Sequence, residues 1–446
     1  MKAVSFELSL PRLAAARIAG FFSPAGFVAP FGPTRLLDLP DPRPRRDDWV
    51  VVRPAVTGVC GSDIKEIFLD ADLDNPLRAL ISFPHVLGHE VAATVIEAGP
   101  AVRRVRVGDR VAVSPWLPCE VRGLPLCRYC EQGDFSLCDN FTVGDIAPGM
   151  HAGNCRDVPG AYAELMAAHE SMCFPIPDGV SDEQAALADP FSVALHAIRK
   201  APPRPGETVL VYGCGPLGLV TIHALARLYP GARILAVDLH EYLRPFALAM
   251  GAHDYLAGKG AELIERVAEA TSARVRKVRL ALPWVTGGVD RVYDTVGIAA
   301  TLETAVRLVK PLGTVLLVGV GTPRRYEWTP IFFREVSVIG SNAYGAEPFE
   351  GERQHGFTYY LSLCAAGRVD PTPMITLRLP PLRASATRVV APEPSSRPAP
   401  ADRRMAVIDR NKRLVGLVAL SDLATRTRRR EQVGEIVEGI SQPSQP

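Results

Sequence analysis

Short apolar runs alternate with helical patterns between residues 200 and 340. Each run is rich in β-branched residues and too short for a helix, which is typical of strands buried on both faces of a sheet. Strands that alternate with helices predict a parallel, doubly wound α/β sheet. The predicted strands are 208–213, 232–238, 290–297 and 313–321, and the predicted helices are 217–229, 242–252 and 301–310.

The segments on either side of this region have other patterns. Residues 1–190 predict mostly strands and turns, because runs such as 90–99 and 107–113 combine β-branched residues with Gly and Asp. Beyond residue 385 the chain becomes rich in proline, which predicts a semi-rigid linker. The tail that follows has the pattern of a β-hairpin at 405–420.

Composition and charge narrow the class of protein. A chain of 446 residues is expected to hold two or three domains, and its 47% hydrophobic and 22% charged residues are ordinary for a globular protein. The net charge of +2 gives no field suited to nucleic acid, and the apolar runs fall far below the ~20 residues of a membrane helix. The N-terminus does not resemble a secretory leader, so a cytoplasmic protein is expected.

Four of the nine cysteines lie within twenty residues, in the order C-x7-C-x2-C-x7-C. They are Cys119, Cys127, Cys130 and Cys138. Thiolates at short spacings on a loop are able to close a tetrahedral zinc site, and clustered cysteines in a reducing compartment favour metal over disulfides. A closed four-sulfur site has no open position, so we expect it to organise a lobe and to take no part in catalysis.

A G-x-G-x-x-G pattern follows the first strand of the predicted parallel sheet and opens the next helix. An aspartate stands twenty residues after the last glycine, at the end of the following strand, which is the context of a dinucleotide-binding fingerprint. The glycines allow a close approach to the pyrophosphate, whereas the aspartate binds the adenosine ribose and repels a 2′-phosphate, so NAD is favoured over NADP. The residues are Gly213, Gly215, Pro216, Leu217, Gly218 and Asp238.

Candidate ligands of a second, open zinc site flank the cysteine lobe. Cys60 in GVCGSD, His89 in GHE and Asp189 in ADPFSVALHA offer a thiolate, an imidazole and a carboxylate, with Glu90 as an alternate or outer-shell ligand. Each of these residues alone is common in ordinary turns and helix caps. Their joint occurrence around a four-cysteine lobe and before a dinucleotide fold favours catalytic zinc, so we expect two zinc ions per chain.

With these motifs, residues 1–383 resemble the zinc-dependent medium-chain dehydrogenases, the group of alcohol, polyol and threonine dehydrogenases. The resemblance implies a GroES-like catalytic domain, a Rossmann domain inserted into it, an active site in the cleft between them, and a homo-oligomer, either a dimer or a tetramer. The matching segments are GVCGSD (58–63), FPHVLGHE (83–90), VGDRVAV (107–113), the cysteine lobe, GCGPLG (213–218) with Asp238, VDRVYDTVG (289–297) and EVSVIGSNAY (335–344).

The resemblance also implies a reaction. Zinc binds the hydroxyl of a small alcohol or polyol and lowers its pKa, and the carbinol hydride passes reversibly to NAD. Ser62 matches the first hydroxyl of the family's proton relay, so the catalytic residues implied are Cys60, Ser62, His89 and Asp189. A formaldehyde- or threonine-dehydrogenase-like activity shares every motif and stays an alternative, as does a zinc-stabilised nucleotide-binding protein without catalysis.

The chain departs from the family pattern at several positions. Seven residues separate Cys119 from Cys127, where the family usually has two. Ala93 replaces a usual glycine after GHE, and Lys65 stands where many members carry the relay histidine. The position of Asp189 varies among Glu, Asp and Cys in the family, so this carboxylate is expected to bind zinc directly or through water.

The resemblance divides the chain into five parts. They are the GroES-like catalytic domain (1–195) with the zinc lobe (119–138), the Rossmann domain (196–340), a segment that returns to the catalytic domain (341–385), the proline-rich linker (386–404) and the tail (405–446). The tail resembles the end of a CBS domain, with a strand, a turn, a strand and SDL opening a helix. Because a nucleotide-binding CBS module needs two complete repeats, we expect a fused fragment that binds no ligand.

Overall fold

The computed structural model describes residues 1–70, 75–321, 324–376 and 378, together with the backbone of three strands between residues 387 and 419. No helix in these residues is long and apolar enough to cross a membrane. The strands are β1 (Lys2–Phe6), β2 (Thr34–Asp38), β3 (Trp49–Thr57), β4 (His85–Val86), β5 (Val91–Ala98), β6 (Arg110–Val113), β7 (Met166–His169), β8 (Cys173–Pro175), β9 (Thr208–Tyr212), β10 (Arg233–Asp238), β11 (Asp254–Ala257), β12 (Arg274–Arg276), β13 (Trp284–Thr286), β14 (Val289–Asp294), β15 (Val309–Leu317), β16 (Ser337–Gly340), β17 (Ala346–Phe349), β18 (Glu352–His355), β19 (Thr387–Val389), β20 (Arg404–Asp409) and β21 (Leu414–Ala419).

Helices connect most of these strands in the second half of the chain and are fewer in the first. The α-helices are α1 (Leu10–Phe22), α2 (Gly61–Ile67), α3 (Arg128–Glu131), α4 (Asp182–Ala186), α5 (Ala188–Lys200), α6 (Pro216–Leu228), α7 (Arg244–Ala249), α8 (Gly260–Ala270), α9 (Ala299–Leu308), α10 (Thr329–Arg334) and α11 (Gly356–Ala365). Short 3₁₀ helices lie at Pro24–Val28, Pro76–Leu80, Phe135–Leu137, Glu170–Met172, Glu241–Leu243 and Thr372–Met374.

The first half of the chain is built on an antiparallel sheet with the strand order β7-β3-β5-β6-β8. Val91, Ala93 and Val95 alternate along β5 and point into one core, because successive side chains of a strand face opposite sides. A smaller sheet with the order β2-β1-β4 lies beside it. Strands β5 and β6 confirm the strands predicted in the runs 90–99 and 107–113.

Helix α1 departs from the prediction of strands and turns for the first 190 residues. Its alanines, leucines and arginines favour a helix, and Pro11 lies in the first turn, where no backbone N–H is needed. Leu13 packs against a cluster that contains Leu87 and Tyr162. The helix therefore covers the side of the antiparallel region that carries β4.

The second half of the chain forms a six-stranded parallel sheet with the order β11-β10-β9-β14-β15-β16. Val209 and Val211 enter the core on one face and Leu210 enters the core on the other, so β9 is buried on both faces. This finding confirms the predicted doubly wound α/β sheet. The strand order reverses at β9, and open α/β sheets bind ligands at the carboxyl edge beside such a reversal.

The chain returns to its first half after β16. Ser136 of the cysteine lobe and Asn342 exchange two hydrogen bonds of 2.9 Å: the Ser136 hydroxyl donates to the carbonyl of Asn342, and the Asn342 side-chain amide donates to the carbonyl of Ser136. Helix α11 packs against α5, and the hydroxyl of Tyr360 donates to the carbonyl of Gln184 at 2.8 Å. Helix α5 runs through the expected domain boundary at residue 195, so the two halves share a continuous core there.

The C-terminal tail is described through three strands only. Strand β20 pairs antiparallel with both β19 and β21, and the pairing of β20 with β21 matches the hairpin predicted at 405–420. The remainder of the predicted linker (386–404) and of the CBS-like tail (405–446) lies outside the described residues.

Candidate active site

Three metal-ligating side chains meet where helix α2 begins. Cys60 occupies the N-cap position of α2, and His89 and Glu90 stand in the segment between β4 and β5. The sulfur, one ring nitrogen and one carboxylate oxygen all lie within 4.8 Å of one another. Gly58 makes room for the carboxylate, because a Cβ at this position would lie 2.1 Å from Oε2 of Glu90. A thiolate, an imidazole and a carboxylate form a donor set suited to catalytic zinc.

Asp63 supports this donor group from behind. Its Oδ2 accepts hydrogen bonds from the Cys60 N–H at 3.1 Å and from the Tyr162 hydroxyl at 2.8 Å. Its Oδ1 lies 3.4 Å from Nδ1 of His89, which leaves Nε2 for a metal ion. Outer-shell carboxylates fix the ring orientation of metal-binding histidines in this way. The sequence predicts no role for Asp63, although it ends the motif GVCGSD, and nothing in the motif points to Tyr162.

The site concentrates buried acidic groups. Asp63, Glu90 and Asp189 are 4%, 7% and 7% exposed. Burial raises the pKa of Glu90 to about 8 against the opposing influence of His89, and burial also raises the pKa of Asp189. Burial disfavours a protonated His89, but Asp63 and Cys60 outweigh it and raise the pKa of the ring. Burial favours the neutral forms of these carboxyl groups unless a positive charge compensates them, so the set of acidic donors fits a divalent cation.

Asp189 stands outside the group of three donors. It lies in the first turn of α5, and its Oδ1 accepts a hydrogen bond from the Tyr344 hydroxyl at 2.5 Å. The sequence predicts Asp189 as a zinc ligand with Glu90 as an alternate or outer-shell ligand, whereas the structure brings Glu90 together with Cys60 and His89. Tyr344 is 155 residues from Asp189, so no local spacing in the sequence reveals that it competes for this carboxylate.

Helix α2 carries two further residues singled out by the sequence. Ser62 is exposed in its first turn, two residues after Cys60. One turn further along, Nζ of Lys65 donates a hydrogen bond to the carbonyl of Val320. Val320 follows β15 at the carboxyl edge of the parallel sheet. Helix α2, whose N-cap is Cys60, therefore contacts the edge where open α/β sheets bind ligands.

The four cysteines of the lobe converge on one point. Their sulfurs all lie within 4.8 Å of one another, and the Cys119 and Cys138 sulfurs are 3.5 Å apart. A zinc tetrahedron with ~2.3 Å bonds has edges of roughly 3.8 Å, so the cluster has a suitable size. The Cys127 N–H and the Asn140 side chain donate to the Cys119 sulfur at 3.3 and 3.2 Å. The longer spacing before Cys127 thus leaves Cys119 inside the cluster, together with Cys130.

The G-x-G-x-x-G segment forms the turn between β9 and α6. Helix α6 begins at Pro216, with Gly215 at its N-cap and Leu217 behind it. A Cβ on Gly215 would meet nothing within 4 Å, whereas a Cβ on Gly218 would lie 1.9 Å from the carbonyl oxygen of Gly213. Gly218 therefore lets the helix pack on the turn, and the open space before Gly215 leaves the helix N-terminus accessible to a phosphate.

Asp238 stands at the end of β10, next to this turn. Its Oδ2 accepts a hydrogen bond from the Cys214 N–H at 2.8 Å, and its Oδ1 accepts one from the His240 N–H at 3.0 Å. These bonds hold the carboxylate beside the fingerprint while the residue remains partly exposed. Arg244 forms an ion pair with Glu241, so its charge is already engaged. The arrangement suits recognition of ribose hydroxyls by Asp238.

Two protein-family models match the chain. Residues 46–178 match the alcohol dehydrogenase GroES-like domain, and residues 216–355 match the zinc-binding dehydrogenase model. These matches confirm the predicted GroES-like domain and the predicted Rossmann domain. Fold and site together define a zinc- and nicotinamide-dinucleotide-dependent dehydrogenase.

Known proteins of similar sequence agree with this class. The L-idonate 5-dehydrogenase of Vitis vinifera is 31% identical over 335 residues, which is 74% of this chain and 80% of that protein. The sorbitol dehydrogenase of Arabidopsis thaliana is 31% identical over 330 residues, which is also 74% of this chain and 80% of that protein. The galactitol-1-phosphate dehydrogenase of Escherichia coli has the same fold, with a TM-score of 0.61, 23% identity, and coverage of 84% of this chain and 91% of that one. The chain belongs to the zinc-type medium-chain dehydrogenase/reductase family and is an oxidoreductase.

Proposed function

We propose that the protein oxidises a carbinol of a small polyol with NAD, reversibly, and holds two zinc ions per chain. The buried donor group of Cys60, His89 and Glu90 is the observation that carries this proposal. Its link to the carboxyl edge of the parallel sheet through Lys65 supports a reaction between the two domains. The 31% identity to an L-idonate 5-dehydrogenase and a sorbitol dehydrogenase supports a polyol rather than a simple alcohol as substrate.

The reaction divides between the cofactors and the chain. When bound, zinc would lower the pKa of the substrate hydroxyl, and NAD would accept a hydride from the carbon that bears this hydroxyl. The products are a carbonyl group, NADH and one released proton. Cys60, His89 and Glu90 hold the metal, and Asp63 keeps the ring of His89 in place. Ser62, which is exposed in the first turn of α2, would relay the released proton: its oxygen accepts that proton as its own hydroxyl proton passes to solvent. Asp189, whose Oδ1 accepts the Tyr344 hydroxyl bond, would interact with the metal through water.

The dinucleotide is proposed to be NAD rather than NADP. The carboxylate of Asp238 binds the ribose hydroxyls and repels a 2′-phosphate. Arg244 is paired with Glu241, which leaves it poorly suited to a 2′-phosphate. The residues proposed to bind the dinucleotide are Gly213, Gly215, Pro216, Leu217, Gly218 and Asp238.

The remaining proposals concern the lobe, the assembly and the tail. The four cysteines of the lobe hold the second zinc ion and stabilise the segment that contacts Asn342. The protein is a cytoplasmic homo-oligomer, either a dimer or a tetramer, with the five parts that the sequence analysis delimits. The two matched family segments cover residues 46–178 and 216–355, so the CBS-like interpretation of residues 405–446 rests on the sequence pattern alone.

A substrate screen tests the proposed function. The zinc-loaded full chain is assayed with polyols, monohydric alcohols, threonine and formaldehyde, with NAD and NADP side by side. We expect kcat/KM to be at least about 10-fold higher for polyols than for monohydric alcohols, and higher with NAD than with NADP. Turnover confined to threonine or formaldehyde supports the alternative activities, and NADH binding without any turnover supports a binding protein.

A further inference from the structure

The imidazole of His151 faces the ring of the proposed zinc ligand His89. The two ring centres are 4.8 Å apart with an interplanar angle of 46°. On its other side His151 contacts Trp116, whose ring centre lies 5.9 Å away, and the two residues also form an antiparallel backbone bridge. His151 is half-buried, and its contact with the ring of His89 places it next to the donor group.

Local hydrogen bonds fix the orientation of this ring. Nδ1 of His151 lies 2.7 Å from the carbonyl oxygen of Ala152. A carbonyl only accepts, so Nδ1 carries the hydrogen and Nε2 of the neutral ring offers a lone pair. The side chain of Asn154 accepts hydrogen bonds from the backbone N–H groups of Met150 and His151 at 3.0 and 3.1 Å, which holds the loop in place. Among the described residues, none forms a hydrogen bond with Nε2 of His151.

We propose that Nε2 of His151 accepts a hydrogen bond from the hydroxyl next to the reacting carbinol and thereby selects vicinal diols over monohydric alcohols. The inference rests on the proposed function and names its substrate class. A diol whose reacting hydroxyl lies at the Cys60, His89 and Glu90 group carries its second hydroxyl toward the adjacent ring of His151. The flanking Trp116 and His89 rings hold the imidazole, so little side-chain entropy is lost on binding.

The physical basis of the selection is a fixed acceptor in a partly desolvated site. A substrate with a neighbouring hydroxyl satisfies Nε2, whereas a monohydric alcohol leaves it without a partner and displaces water from it. A site that forms a hydrogen bond with a substrate hydroxyl therefore strongly rejects a substrate that lacks this hydroxyl. An apolar pocket rejects a substrate of slightly different size less strongly.

Matched substrates and matched variants test the inference. The substrates are 2,3-butanediol and 2-butanol, which differ in the neighbouring hydroxyl. His151→Phe keeps an aromatic ring against His89 and Trp116 and removes the acceptor, and His151→Gln restores an acceptor. We expect His151→Phe to lower kcat/KM for the diol about 10- to 100-fold and to change the value for 2-butanol less than about 3-fold, with His151→Gln regaining part of the loss. Zinc content is measured for each protein.

Binding without turnover separates this inference from the proposed function. The zinc-loaded proteins with NADH are titrated with each alcohol, and the change in NADH fluorescence is followed. If the wild type binds the diol more tightly than 2-butanol and His151→Phe loses this preference, the role of His151 stands even when turnover is absent and the proposed function fails. Equal losses for both substrates, or an undiminished diol preference in His151→Phe, overturn the inference while leaving the proposed function in place.

Discussion

The hydroxyl of Tyr344 donates a hydrogen bond to Oδ1 of Asp189 over 2.5 Å, and both residues are buried. Tyr344 follows β16, the last strand of the parallel sheet, and Asp189 lies in the first turn of α5. The bond therefore joins the end of the Rossmann region to helix α5, which carries one of the three buried acidic groups of the site. Asp189 is not among the donors that converge, which are Cys60, His89 and Glu90.

Tyr344→Phe removes this bond and leaves a buried carboxylate with one donor fewer. We expect the free energy of unfolding to fall by about 1.5–3 kcal/mol, the range for hydrogen bonds to charged groups. Urea denaturation of the full chain measures the change. Tyr359→Phe is the control, because its hydroxyl bonds the exposed Glu350 at 3.2 Å and its removal is expected to cost less. Equal losses in the two variants would contradict the buried interaction.

Cys127→Ser removes one sulfur from the lobe cluster. We expect the zinc content to fall from two ions to one per chain, because three thiolates no longer close a tetrahedral site. Elemental analysis of the purified protein measures the change. Cys364→Ser is the control, since Cys364 is equally a free cysteine but lies in α11, outside both donor groups, and this variant should retain two ions. Two zinc ions in Cys127→Ser would show that the lobe is not a metal site.

Cys60→Ser separates the metal from the dinucleotide. Serine is a good N-cap residue, so α2 should still begin at this position, while the thiolate is lost from the donor group. We expect kcat to fall by at least about 10³-fold and the dissociation constant of NADH to change less than about 3-fold. Steady-state kinetics and NADH fluorescence give the two values. A parallel loss of NADH binding would argue that Cys60 supports the dinucleotide site as well.

Asp238→Ser tests the choice of dinucleotide. It removes both the acceptor for the ribose hydroxyls and the negative charge that repels a 2′-phosphate. We expect the NAD-to-NADP ratio of kcat/KM to fall by at least about 10-fold. Asp238→Asn removes the charge and keeps one acceptor oxygen, so it loses one of the two bonds from the Cys214 and His240 N–H groups and should give part of the effect. An unchanged ratio in both variants would remove Asp238 from the site.

Asp294 is expected to make the free energy of unfolding depend on pH. Burial raises its pKa to about 6, although the N–H groups of Val296 and Gly297 and the Thr301 hydroxyl bond the carboxylate. The folded state thus holds this proton at higher pH than the unfolded state, so the stabilisation is full below pH ~4 and is lost as the pH rises through about 6. Relative to Asp294→Asn, the wild type should lose about 1.4 kcal/mol between pH 5 and pH 8.

Denaturant unfolding of both proteins at the two pH values measures this difference. The comparison at matched pH cancels the titration of groups common to the two proteins. A wild type that gains stability over Asp294→Asn as the pH rises would show that the carboxylate is ionised at little cost in the folded state.

Much of the fold was predictable because its signals are local. Buried parallel strands such as β9 and β10 are continuous apolar runs, and their short length separates them from helices. Helix α1 was not predicted, because the N-terminal segment was interpreted with the strand pattern of the residues that follow it. Its many small and straight-chain residues carried the helical signal.

The sequence by itself determined the chemistry that the protein carries. The spacing of the four lobe cysteines, the motif around Cys60 and the glycine turn before Asp238 are properties of short segments, because a loop or a turn of such length brings its own residues together.

Only the tertiary structure decided how that chemistry is arranged. It placed Glu90 rather than Asp189 beside Cys60 and His89, and it bonded Asp189 to Tyr344, which is 155 residues away. The directions of adjacent side chains, such as those of His89 and Glu90, depend on the residues packed around them. Residues that are far apart in the sequence come into contact only when separate sheets and helices pack together. For that physical reason the grouping of the three candidate zinc ligands depends on the fold and not on the spacing of these residues along the chain.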